Sequence, residues 1–124
     1  MTIVTAAEAP QFTPQEGFTI TALTAPSRGA NETCTWRLRV DPGARSGPHT
    51  LDRDETFVVI AGALRVTPDG DPVEAGGAVT VPAGAPIAVG NPAAEPAEAV
   101  VAIRAGFSAT MADGTAVGTP PWAV

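Results

Sequence analysis

The sequence contains no lysine, one histidine and one cysteine among its 124 residues. Each shortage removes a class of function. Seven arginines against thirteen acids leave a net charge of −6, a balance that disfavours phosphate backbones and anionic membranes as partners. The single cysteine, Cys34, can form no disulfide within the chain and no cysteine-rich zinc site. Apolar runs are short: Ala99 to Ile103 spans five residues, against the roughly 18 that read as a membrane span. The opening residues, Met1 to Pro10, lack the basic region and apolar core of a secretory signal, so the chain reads as cytoplasmic. Helical signals are scarce as well. The Ala- and Glu-rich segment Ala93 to Ala99 follows Pro92 and is interrupted by Pro96, and is expected to be a loop leading into a strand.

What the sequence has in abundance is turn chemistry. Asp41-Pro42-Gly43, Ser46-Gly47-Pro48, Pro68 to Pro72, Pro82 to Pro86, Gly90-Asn91-Pro92 and Asp113-Gly114 are spread along the chain, and each supplies a preset φ or tolerates a positive one. Between them lie short stretches rich in Val, Ile, Thr and Phe. Cys34 to Val40 alternates strictly, with Cys34, Trp36, Leu38 and Val40 on one face and Thr35, Arg37 and Arg39 on the other, the pattern of a half-buried strand. Phe18 to Leu23, Glu55 to Ile60, Ala63 to Val66, Ala78 to Val81, Ile87 to Val89 and Glu98 to Arg104 are further strand candidates. Short strands between regular turns predict an all-β sandwich or barrel. One domain over residues 1–124 is expected, with an N-terminal arm over about 1–16 and a C-terminal tail over about 107–124, where Pro120-Pro121-Trp122 either anchors the tail or simply covers apolar surface.

The stretch from Gly47 to Gly62 carries the most information. It resembles the first motif of the cupin family, in which two His one residue apart are followed, after three residues, by a Glu and, after six more, by a Gly. His49, Glu55 and Gly62 occupy the first His, the Glu and the Gly positions, while Leu51 stands at the second His. The stretch from Gly76 to Asn91 resembles the second cupin motif: its glycine, Pro82 and Asn91 match, Gly77 replaces an acid and Ile87 replaces a His. The resemblance runs from about Asn31 to Ala105. It implies a small cupin β-barrel, an antiparallel jelly roll or double-stranded β-helix, commonly dimeric. It further implies that the segment Phe18 to Leu23 joins a partner's sheet, for which exposed edge strands give a physical reason.

The same resemblance implies a metal held by three His and one Glu in the members that bind one. Leu51 and Ile87 have no lone pair to offer, so no metal site is assigned and no cofactor is expected. A metal-dependent enzyme of dioxygenase or isomerase type is the alternative, and would have to draw on His49, Glu55, water and Cys34. The substitutions leave a drier cavity, suited to a small, largely apolar organic molecule and apt to perturb any ionisable group inside. His49 and Glu55 are the candidate catalytic pair, with the carboxylate orienting the imidazole for acid–base work. Trp36, Leu51, Phe57 and Ile87 are the candidate substrate-binding walls. Two further readings stay open: a non-catalytic binding or sensor module, and a purely structural role in which His49 caps a turn and Glu55 pairs with Arg53 or Arg45. Cys34 reads as a small buried hydrophobe. Arg37 and Arg39 read as a solvated stripe or as partners for acids, and Asp52, Asp54 and Glu55 lack the spacing of a calcium loop.

Overall fold

The computed structural model describes all 124 residues. Eleven strands run in the order β1 (Gln11–Phe12), β2 (Phe18–Thr24), β3 (Thr33–Val40), β4 (His49–Leu51), β5 (Glu55–Ala61), β6 (Ala63–Leu64), β7 (Val73–Glu74), β8 (Ala78–Val81), β9 (Ala97–Arg104), β10 (Ala109–Met111) and β11 (Ala116–Gly118). The only helical turns are the two three-residue 3₁₀ segments Pro26–Arg28 and Pro121–Ala123. A six-stranded sheet has the order β1-β2-β3-β9-β5-β8, and a three-stranded sheet the order β11-β10-β4. Every pairing is antiparallel. No helix is long and apolar enough to cross a membrane.

Alternation in the sequence becomes layering in the structure. Along β3 the residues Cys34, Trp36, Leu38 and Val40 are buried while Arg37 and Arg39 are exposed. Opposite β3, Ala97, Ala99, Val101 and Ile103 of β9 are buried in register with Val40, Leu38, Trp36 and Cys34. The inward faces feed one cluster of 22 buried residues. Outside it, Arg37 meets Glu98 at 3.4 Å and Arg39 meets Asp41 at 3.7 Å, exposed pairs worth little to stability.

Three expectations change on contact with the structure. The segment Phe18 to Leu23, expected to join a partner's sheet, is seated as β2 between β1 and β3 of its own chain, with Phe18 opposite Val40. Ile87 to Val89 forms no strand, only an isolated bridge from Ile87 to His49. Residues 107–124 do more than lie on the surface, since they contribute β10 and β11, and β10 is the only strand paired with β4.

Two motif residues hold this architecture together. Gly62 sits at φ +68, where a Cβ would come within 2.6 Å of the Pro96 carbonyl oxygen; a side chain has no room there. Asn91 is buried, donates through Nδ2 to the carbonyls of Val40 (3.0 Å) and Glu95 (2.7 Å), and accepts from the amide of Ala93 (3.0 Å). Both motif positions therefore serve the backbone.

Candidate functional site

A cavity of about 520 Å³ opens between the two sheets. From the six-stranded sheet it receives Phe18 and Ile20 of β2, Trp36 and Leu38 of β3, and Glu55 and Phe57 of β5. The period of two places Glu55 and Phe57 on the same face of β5. From the smaller sheet it receives His49 and Leu51 of β4, again two apart, paired with Met111 and Ala109 of β10. The sequence from His49 to Glu55 is thus a short strand, a turn and the start of a second strand that bring His49 and Glu55 from two sheets to one space. The turn is fastened by acids: Asp52 accepts from the amide of Ser108 at 2.7 Å and Asp54 from that of Ala83 at 2.9 Å.

His49 and Glu55 are the ionisable side chains on the wall. Glu55 is 4 % exposed, and burial alone pushes its carboxyl up to about 8. At neutral pH it is mainly a carboxylic acid, a hydrogen-bond donor, where a negatively charged orienter was expected. It pairs with no arginine: the ion pairs of the chain are Arg37–Glu98 and Arg39–Asp41. His49 is half-buried and its Nδ1 lies 3.4 Å from the Gly47 carbonyl oxygen. A carbonyl only accepts, so this contact calls for a hydrogen on Nδ1, and in the neutral ring that leaves the lone pair on Nε2. The arrangement places a carboxyl group and an imidazole on the same cavity without joining them.

Trp36, Leu51 and Phe57 line the cavity. Ile87 does not. It is 1 % exposed, exchanges backbone hydrogen bonds with His49 and belongs to the core. Sequence reasoning passed over Phe18, Phe107 and Trp122, which also form the wall. Trp36 stacks with Phe107 (centroids 6.3 Å apart, 29° between planes) and meets Trp122 edge-on (6.3 Å, 69°). The available signal was the scarcity of aromatic residues, four Phe and two Trp in all, which makes their convergence informative.

The side chains present do not fit a resident metal ion. No three His, Cys, Asp or Glu groups come together. Cys34, the remaining candidate donor, is fully buried with its thiol directed at the Ala123 carbonyl oxygen, 3.4 Å away.

Over residues 36–103, more than half of the chain, the sequence matches the Cupin_2 family, a cupin domain. The chain belongs to this family. Solved structures agree on the fold. The polyketide cyclase RemF from Streptomyces resistomycificus superposes with a TM-score of 0.74 at 19% identity, covering 84% of this chain and 79% of RemF. An RmlC-like cupin from Ralstonia eutropha JMP134 gives 0.74 at 13% identity, with 95% and 77% covered. KdgF from Halomonas sp. gives 0.68 at 18% identity, with 82% and 93% covered. No curated protein matches the sequence. Within this cupin Gly62 and Asn91 serve the backbone, whereas the positions that the motif resemblance assigns to metal ligands hold His49 and Glu55 beside the aliphatic Leu51 and Ile87.

Proposed function

We propose that this cupin binds a small, largely apolar organic molecule in the cavity between its sheets, and that His49 and Glu55 move protons on it without a metal. The observation that carries this reading is the composition of the wall: two ionisable side chains, one acid and one base, in an otherwise mainly apolar enclosure. Water-poor surroundings strengthen the hydrogen bonds such groups make to a reacting molecule. A protonated Glu55 donates to a carbonyl oxygen. Nε2 of His49 takes a proton from the carbon next to that carbonyl, giving an enol, and reprotonation at carbon or attack by the enol on a second carbonyl follows. Isomerisation and cyclisation are the reaction types this supports, and one structural relative, RemF, is a polyketide cyclase.

Homodimer formation belongs to the same reading, supported by the open edge of the six-stranded sheet at β8. Sedimentation distinguishes a 12.4 kDa monomer from twice that mass.

The test of the chemistry uses 2-tetralone, an apolar ketone with acidic α-protons, in deuterated buffer. Wild-type protein should accelerate α-deuteration, and His49→Ala should reduce it to background while the ketone still binds. Equal deuteration by His49→Ala removes the base assignment. Binding without deuteration by the wild type makes the protein a non-catalytic binding module.

A further inference from the structure

The cupin has six aromatic side chains, four Phe and two Trp. Five of them, Phe18, Trp36, Phe57, Phe107 and Trp122, line the cavity. The sixth, Phe12, packs against Trp122 with centroids 6.2 Å apart and 56° between planes. They arrive from separate places: β1, β2, β3, β5, the loop after β9 and the C-terminal 3₁₀ turn. Aliphatic residues fill the rest of the core, so the concentration of π-surface follows the cavity and not the core as a whole. Flat rings gain from edge-on and offset contacts beyond what their area gives, and saturated rings of the same size do not.

Charge narrows the class further. None of the seven arginines lies on the wall, and the acidic side chain there is Glu55. A carboxylate or phosphate would leave water with no arginine or lysine to meet it, a large cost in an apolar site. On the wall, the buried polar atom without a partner is the indole Nε1 of Trp122, and Glu55 lines the same cavity, so both offer polar contacts to a ligand oxygen. A volume of about 520 Å³ falls inside the roughly 300–1,000 Å³ of pockets that enclose drug-sized molecules.

We infer that the ligand is an uncharged, planar, fused-ring aromatic molecule carrying a carbonyl or phenolic oxygen that meets the carboxyl group of Glu55. The inference rests on the reading of the cavity as the binding site and adds the class of molecule. Because Trp36 and Trp122 meet at 6.3 Å within the wall, their indoles should report its arrival by fluorescence.

The test compares three probes of similar size at neutral pH by calorimetry: 2-naphthol, decahydro-2-naphthol and 2-naphthoate. 2-Naphthol should bind at least roughly tenfold tighter than either of the others, the equivalent of one or more aromatic contacts. Decahydro-2-naphthol binding as well as 2-naphthol overturns the aromatic assignment and leaves an apolar cavity intact. 2-Naphthoate binding as well overturns the requirement for an uncharged ligand. Binding by none of the three overturns this inference and the cavity reading together. Trp122→Leu, at the partly exposed end of the wall, should lower the advantage of 2-naphthol over its saturated counterpart; an unchanged ratio places the probe elsewhere and also overturns the inference.

Discussion

The thiol of Cys34 donates to the carbonyl oxygen of Ala123 across 3.4 Å, joining the first residues of β3 to the last turn of the chain. Arg28 secures the same turn, its Nη2 donating to the Trp122 carbonyl at 2.7 Å and its Nε to that of Leu23 at 3.4 Å. The amide of Ser27 adds a bond to the Val124 carbonyl. The C-terminal segment therefore serves two purposes: it covers the cysteine and it holds Trp122 in the cavity wall.

This arrangement predicts an inert thiol that one distant substitution exposes. Burial raises the Cys34 pKa, with Arg28 pulling weakly the other way, and the thiolate is the reactive form. Labelling of Cys34 with a disulfide reagent should be slow in the folded protein and fast in denaturant. Arg28→Ala should speed native-state labelling at least about tenfold, because a clamp of roughly 1–2 kcal/mol is lost and the terminal turn opens more often. It should also weaken 2-naphthol binding through Trp122. If labelling stays slow in Arg28→Ala, the turn is held by its apolar contacts and not by the guanidinium.

Gly62 makes a sharper case, because its requirement is steric. At φ +68 an L side chain is strained, and the added Cβ would overlap the Pro96 carbonyl at 2.6 Å. Backbone atoms cannot swing aside as a flexible side chain does. Gly62→Ala should cost about 2 kcal/mol or more in urea unfolding, the strain of a left-handed residue plus the displacement of β9. Gly43→Ala has a positive φ and no neighbour within 4 Å, so it should cost about 1 kcal/mol. Equal losses at the two positions would show that the close approach to Pro96 relaxes without penalty.

These residues also mark what could be read from the sequence. Gly62 and Asn91 were legible as motif positions because their duties are local and admit few substitutes: a positive φ in one case, a buried amide bridging three backbone groups in the other. The cupin barrel followed from them and from the alternation of β3. That His49, Glu55, Trp36, Leu51 and Phe57 border one cavity was legible because short turns bind β4 to β5 and inward positions repeat every second residue. Ile87 was misplaced since a single bridge, unlike a strand, does not fix which way a side chain faces. Phe107 and Trp122 were not legible as parts of the wall: they lie in the loop after β9 and in the C-terminal 3₁₀ turn, where no alternation assigns a face, and their contacts with Trp36 are set by the tertiary fold. The state of Glu55 was hidden for the same reason, because the depth of a carboxyl group is a property of everything packed above it.

That depth makes the stability contributed by Glu55 depend on pH. The Glu55 carboxyl has an ordinary value of 4.5 and is raised to about 8 in the fold. Between those two values the folded protein keeps a proton that the unfolded chain has released. Stability is therefore full at the acid end of the window, falls as pH rises through it, and levels off above about 8, with a slope of at most about 1.4 kcal/mol per pH unit from this group. Glu55→Gln removes the titration while keeping the shape and a donor. Its stability should run nearly flat through the window, so that its advantage over the wild type grows with pH when urea unfolding is measured at about pH 5, 7 and 9. Parallel curves would mean that Glu55 titrates near its ordinary value. The same proton governs the proposed chemistry: deuteration of 2-tetralone should decline above about pH 8 in the wild type as the donor is lost, and the glutamine variant, which can donate a hydrogen bond but no proton, should be slow at every pH.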